Sequence, residues 1–279
     1  MKDQIVAAAV QMNVVFEDVG GNLSRAERLI VRAAEAGAEL VLLPEEFNTG
    51  FPHEGLPRDE MYRRKYALAE SLDGPTVGWM GGLARRYGMQ VCGGILEREG
   101  DRYYNTAVMV DEAGAIVGKF RKMHTMGSIT TNGFEDPGDE VTVWETRLAR
   151  FGCMTCYDHR FPELPRMAAI QGAEVLLHPT NCGGTTDPLY DKNITIRARA
   201  VENGCFVVVA NAAQPDGVVG NTQIVAGTYT NGARNDMVLG MARAWEDVVV
   251  AVLDARRYRG PNRDRRPECY GRLAGTGAG

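Results

Sequence analysis

The stretch Phe151-Gly152-Cys153-Met154-Thr155-Cys156-Tyr157-Asp158-His159-Arg160-Phe161-Pro162-Glu163 reads as a short apolar strand that runs straight into a polar segment opening a helix. This places the Cys156 thiol on a strand-to-helix elbow. A side chain there projects from a sheet edge, and unpaired N–H groups at the start of a helix favour a thiolate and an oxyanion. The competing reading is burial, because free cysteine often packs as a small hydrophobe.

Working outward, apolar runs alternate with helical patterns in two passes, the signature of βα units. In the first pass, strand Ile5 to Gln11 precedes a helix from Asn22 to Ala36. That helix has Leu23, Ala26, Leu29, Ile30 and Ala33 on one face, Asn22 as N-cap and Gly37 as stop. A buried strand over Glu39 to Leu43 follows, then a helix from Pro75 to near Gly88. Strands are expected at Gln90 to Glu97, Tyr103 to Val110 and Ala115 to Phe120. The second pass contains strand Arg150 to Thr155, a helix from about Pro162 to Gln171, strand Ala173 to His178 and helix Lys192 to Asn203. Strands Cys205 to Asn211, Thr222 to Ala226, Met237 to Leu239 and Val248 to Leu253 complete it. Continuous apolar strands require cover on both faces, so sheets with helices outside are expected.

Composition agrees with one globular domain. The 279 residues are 44% hydrophobic and 24% charged, without a low-complexity linker. The expected domain spans residues 1–272, and 273–279 read as an unfolded tail. A net charge of -5 argues against a general nucleic-acid binder. Arginines 256, 257, 259, 263, 265 and 266 form a local exception, expected to be a solvated or subunit-facing segment rather than a polyanion site. No apolar stretch approaches the ~20 residues that span a bilayer. The N-terminus lacks a signal-peptide pattern. Six cysteines in a chain this long form no disulfide framework, so a cytoplasmic, membrane-free setting is expected. The four histidines are scattered without ligand spacing, and no metal or other cofactor is expected.

Two further segments bring ionisable groups to strand ends. One is Leu40-Val41-Leu42-Leu43-Pro44-Glu45-Glu46-Phe47; the other is Gly118-Lys119-Phe120-Arg121-Lys122-Met123-His124. Spacing alone leaves Glu45 and Glu46 as rivals for a base, and Lys119, Arg121 and Lys122 as rivals for a cation. Adjacent acids at a strand end point to opposite sides, so only one reaches a given thiol. Cys153 and Cys156 also spell C-x-x-C, a possible redox pair, but three residues apart on a strand they face opposite ways.

Taken in order with Val6 to Met12, Tyr104-Asn105-Thr106-Ala107, Arg199 to Asn203 and Arg265 to Tyr270, these segments resemble the carbon-nitrogen hydrolase (nitrilase) superfamily along nearly the whole chain. The resemblance implies a four-layer α-β-β-α sandwich, commonly dimeric or larger, and a Glu-Lys-Cys triad. Its acid-after-proline motif selects Glu45 as general base, its aromatic-Arg-Lys-x-His pattern selects Lys122, and the elbow supplies Cys156 as nucleophile. The N–H of Tyr157 and Lys122 would hold an oxyanion. Arg121 and His124 are expected as supports.

The family's second glutamate, usually found before a Pro-Gly-Asp turn, is displaced. Counting back from Pro137-Gly138-Asp139 reaches Thr130 and Thr131, and the glutamate in the interval is Glu135. Either Glu135 serves, or the role has passed to threonine or is gone. Tyr157-Asp158 replaces the Trp-Glu of nitrilases proper, which points to amidases, carbamoylases and ω-amidase-like members acting on a small amide or N-carbamoyl compound. Arg160 would either clamp a substrate carboxylate or brace the elbow. Nitrile hydrolysis by the same triad, a catalytically silent binding member and a thiol redox protein are the alternatives. The loops Phe51 to Gly55, Met126 to Phe134 and Cys182 to Asp187, with Gly220-Asn221-Thr222, would shape the substrate pocket.

Overall fold

The computed structural model describes residues 1–52, 57–125, 135–182, 187, 190–213, 220–227, 237–243 and 245–271. In chain order the elements are β1 (Gln4–Asn13), α1 (Val19–Glu35), β2 (Leu40–Leu42), α2 (Arg58–Tyr66), α3 (Pro75–Tyr87), β3 (Gln90–Glu99), β4 (Arg102–Val110) and β5 (Ile116–Arg121). The second half holds β6 (Val143–Glu145), β7 (Arg150–Cys153), α4 (Glu163–Ile170), β8 (Val175–Thr180), α5 (Asp191–Asn203), β9 (Phe206–Ala213), β10 (Gln223–Ala226), β11 (Val238–Met241) and β12 (Asp247–Asp254). The expected 273–279 tail lies outside the described residues.

Alternation in β1 explains the layering. Ile5, Ala7 and Ala9 enter one core, while Ala8, Val10 and Met12 enter another with Ala26, Leu29, Ile30 and Ala33 of α1. β2, with Leu43 directly after it, and β4 split the same way: Leu40, Leu42, Ala107 and Met109 face the first core, Val41, Leu43, Val108 and Val110 the second. The first core also takes Phe151 and Cys153 of β7, Val175 and Leu177 of β8, and Val207 and Val209 of β9. A period of two therefore divides β1, β2 and β4 between a sheet-on-sheet interior and a helix-covered exterior.

One half-sheet runs β5-β4-β3-β2-β1 with β12 antiparallel on β1; the other runs β6-β7-β8-β9 with β10 and β11 beyond. They join where Met12 and Asn13 of β1 pair with Ala212 and Ala213 of β9. Helix α3 packs on β3 and β4, α4 on β7, and α5 on β9 and β10. The architecture is the four-layer α-β-β-α sandwich.

Three expectations need correction. Helix α1 starts earlier than Asn22: Asp18 is its N-cap, accepting from the Gly21 N–H at 3.1 Å, while Asn22 is buried and donates to the Val15 and Asn48 carbonyls. The segment after Cys156 is a 3-10 turn, Cys156–Arg160, and α4 begins only at Glu163. Helix α2, Arg-Asp-Glu-Met-Tyr-Arg-Arg-Lys-Tyr, was not expected because it carries no apolar stripe; its fully buried side chain is Lys65.

Candidate active site

Glu45 sits just beyond β2, Lys122 just beyond β5 and Cys156 just beyond β7, so three strand ends converge. Lys122 Nζ donates to Glu45 Oε1 at 2.7 Å, and the Glu45 carboxyl also meets the Cys156 thiol. All three side chains are buried, with Glu45 1% and Lys122 5% exposed. Asn105 Nδ2 donates to Oε1 and the Asn181 N–H to Oε2, both at 2.9 Å. The carboxylate thus has donors on both oxygens and one orientation. Asn105 belongs to β4 and Asn181 to the end of β8, so both half-sheets hold it.

Burial pushes the Glu45 carboxyl up to about 8, helped by the neighbouring Cys156 and opposed by Lys122. Burial works against the Lys122 ammonium, yet Glu45 outweighs it and holds Lys122 well above the usual lysine range. The Cys156 thiol is raised to about 12, first by its hydrogen bond with Cys182 and then by burial, against the pull of Lys122. Cys156 is therefore held as a neutral thiol against the Glu45 carboxyl.

The elbow is strained. Cys156 has φ of 44°, a left-handed value that costs a non-glycine residue of order ~1 kcal/mol or more. Its neighbours hold it there. Asp158 Oδ2 accepts the Thr155 N–H at 2.9 Å in a reciprocal capping box, while Oδ1 accepts from the His124 N–H and meets the His124 ring nitrogen Nδ1 at 2.7 Å. Asp158 thereby ties the elbow to the segment carrying Lys122, and Phe161 stacks on His124 at 3.6 Å. On the other side, the His159 ring donates from Nδ1 to the Cys156 carbonyl at 2.7 Å; burial lowers this imidazole to about 4, so it stays neutral. Arg121 is a support of β5, paired with Glu97 and Glu99.

A second ionic cluster backs the first. Lys65 of α2 pairs with Glu46 at 3.1 Å and with Glu135, all buried, and lies 4.3 Å over the Phe51 ring. Glu46 is therefore a structural partner and not a solvated one. Glu45 and Glu46 do face different lysines, and Glu46 has φ of 44°. Burial raises Glu46 to about 8 against the pull of Lys65. Glu135 acts electrostatically on Lys122 as well, which places it beside the triad.

The structure places Tyr157 immediately after Cys156, its ring edge-on to Phe161 at 5.3 Å. Arg160 donates to Asp191 Oδ2 at 2.6 Å with its side chain half exposed, a bracing contact between the elbow and α5. Thr130 and Thr131, and most of the three expected pocket loops, lie outside the described residues. Asn221 is buried in an amide network, accepting from Asn211 at 2.9 Å and donating to Asn193 at 3.2 Å. Sequence reading missed Lys65, Asn181 and Lys192, and had Cys182 only as the first residue of a pocket loop. None carries a local signal, because each reaches the site from an element whose position depends on the sandwich. Among the described residues, no group of three or more metal-ligating side chains is present, and no helix is long and apolar enough to cross a membrane.

A two-sheet α/β sandwich thus brings a buried carboxyl, ammonium and thiol together at converging strand ends, and this cluster is the candidate site. The sequence profile of the family described as carbon-nitrogen hydrolase matches residues 6–259, and the chain belongs to that family. It is similar to a nitrilase of Pyrococcus abyssi, 31% identical over 95% of this chain and 99% of the relative. A citrullinase of Francisella tularensis is also 31% identical, over 95% of this chain and 96% of the relative. Among solved structures, a mutant of the amidase from a Nesterenkonia species, with the acetamide moiety of fluoroacetamide covalently added at its active site cysteine, superposes with a TM-score of 0.76 at 25% identity, over 97% of both chains.

Proposed function

We propose that this carbon-nitrogen hydrolase cleaves a small amide or N-carbamoyl compound through a thioester on Cys156. The observation that carries the reading is the convergence of Glu45, Lys122 and Cys156, with the carboxyl touching both the ammonium and the thiol. Glu45 takes the thiol proton as sulfur attacks the carbonyl carbon, and returns it to the departing nitrogen, so ammonia or an amine leaves. Lys122 and the Tyr157 N–H stabilise the oxyanion. Water then attacks the thioester, Glu45 accepting its proton, and the acid is released as Cys156 regains its hydrogen.

Lys65 and Glu135 hold the second charged layer behind the triad, which supports assigning Glu135 the displaced glutamate's positioning role. The Arg160 to Asp191 contact favours the brace over a carboxylate clamp. The citrullinase relative supports an N-carbamoyl substrate and the amidase neighbour a simple amide. Exposed Met167 and Ile170 of α4 and Ile194 of α5 support a homo-oligomer built on these helices.

Intact-protein mass spectrometry with a panel of amides, nitriles and N-carbamoyl compounds tests the reading. An acyl adduct on the wild type that is missing from Cys156→Ala is expected, with ammonia or amine released. Adduct formation confined to nitriles would transfer the assignment to nitrile hydrolysis. No adduct and no ammonia across the panel would leave a silent binding member.

A further inference from the structure

The thiol in contact with Cys156 is not Cys153, which ends β7 inside the sheet-on-sheet core, but Cys182. Cys182 follows β8, and its backbone is clamped on both sides by one side chain. Its N–H donates to Asn211 Oδ1 at 3.2 Å, and Asn211 Nδ2 donates to its carbonyl at 2.9 Å. The sulfur is ringed by polar groups. Lys192 Nζ donates to it, Thr180 Oγ1 lies 3.6 Å away, and the Cys156 thiol approaches from the nucleophile side.

Lys192 is the decisive neighbour. It is 2% exposed, and its other hydrogen bond goes to Thr180 Oγ1 at 2.7 Å. Among the described residues no carboxylate lies within ion-pair distance of it. A buried ammonium needs a counter-charge, and the sulfur it touches is the group that can supply one. The hydrogen bond from Cys156 and the charge of Lys192 bring the Cys182 thiol down to about 5, burial opposing. Cys182 is also partly exposed where Cys156 is buried. A thiolate that solvent reaches, poised against a second thiol, is the arrangement that reacts with peroxides.

We propose that Cys182 is a second reactive thiol of this site, held as a thiolate by Lys192, which takes up oxygen from a hydroperoxide and closes a disulfide onto Cys156. The Cys182 sulfur attacks the hydroxyl oxygen of the hydroperoxide. An S–O bond forms, the O–O bond breaks, and the alkoxide or hydroxide that leaves takes a proton from water. The Cys156 sulfur then attacks the sulfenic sulfur: the S–S bond forms, the S–O bond breaks, and the departing hydroxide carries off the Cys156 proton as water. The two sulfurs together lose two electrons and the peroxide gains them. The disulfide blocks the nucleophile and shields it from irreversible oxidation until a dithiol reduces it.

The test is hydrogen peroxide titration of the purified protein followed by intact mass and peptide mapping. It needs no substrate, so its failure and a failure of the hydrolase reading are separable. The wild type is expected to lose two hydrogen atoms, to yield a Cys156–Cys182 cross-linked peptide, and to revert with dithiothreitol. Cys182→Ser is expected to gain oxygen atoms on Cys156 that dithiothreitol does not remove. Lys192→Met is expected to form the cross-link about ten-fold more slowly, as the thiolate fraction falls. A cross-link mapped to Cys153, wild type that gains oxygen without cross-linking, or Lys192→Met oxidising at the wild-type rate would each overturn the proposal.

Discussion

At the scale of single residues, the site is a problem in charge placement. Glu45, Lys122 and Cys156 are each buried, and the energy of the ionised forms depends on their mutual contacts. Lys122→Ala should reduce turnover by ~100-fold or more, the usual cost of losing an oxyanion donor, with the circular dichroism spectrum unchanged. Steady-state kinetics would refute the role if turnover stayed near normal. The pH dependence has a definite sign. Glu45 acts as a base only when ionised, and its carboxyl is raised to about 8, so kcat/KM should climb as pH rises through that region. Lys122 holds that value down, so any residual activity of Lys122→Ala should have its acid limb at higher pH. The Lys65 cluster makes a stability prediction. Lys65→Met leaves Glu46 and Glu135 buried together without the lysine they share and should cost about 3–5 kcal/mol in urea denaturation. With Lys65 in place the Glu46 carboxyl is raised to about 8 by burial, so the share of the loss that comes from its ionisation should grow as the pH rises through that region; a pH-independent loss would mean lost packing alone.

At the scale of elements, the strands were legible because alternation in β1 and the apolar runs of β2, β8 and β9 are local patterns. Helix α3 was legible from Pro75 at its start and Gly88 at its end, where φ is 64°. Helix α2 was not, since nothing in its polar sequence says that Lys65 turns inward; that follows from the buried acids waiting for it. The elbow was half legible. Its strand was read correctly, but the capping box of Thr155 and Asp158 closes a 3-10 turn before the helix can begin. Glu45 depends on a close approach between elements: a Cβ on Gly94 of β3 would stand 2.8 Å from the Glu45 Cα and 2.9 Å from the Glu46 nitrogen. These are backbone atoms and cannot swing aside. Gly94→Ala should therefore cost about 1–3 kcal/mol of stability by overpacking and lower turnover by up to ~100-fold through misplaced Glu45. Thermal denaturation and kinetics check both; wild-type turnover would show that Glu45 tolerates the shift.

At the scale of the whole molecule, the sandwich leaves α4 and α5 with their inner faces packed and their outer faces bearing Met167, Ile170 and Ile194, each close to half exposed. Sedimentation should find a dimer or larger assembly, and Met167→Glu with Ile170→Glu should shift it towards monomer; a monomeric wild type would remove this surface from consideration. The amino-acid sequence by itself determined the order of most strands and helices, the sandwich through its family resemblance, and the three residues that its motifs bring forward as a candidate triad. These are properties of short segments, in which alternation, turn residues and motif spacing lie within a few positions of one another. Only the tertiary structure decided which side chains share a buried volume. It paired Lys65 with Glu46 and Glu135, set Asn105 and Asn181 from opposite half-sheets on Glu45, and put Cys182, itself held by Lys192, against Cys156 in place of the nearby Cys153. Those contacts join residues far apart in the chain, and ionisable groups become partners only where packing has excluded the water that would otherwise solvate each alone.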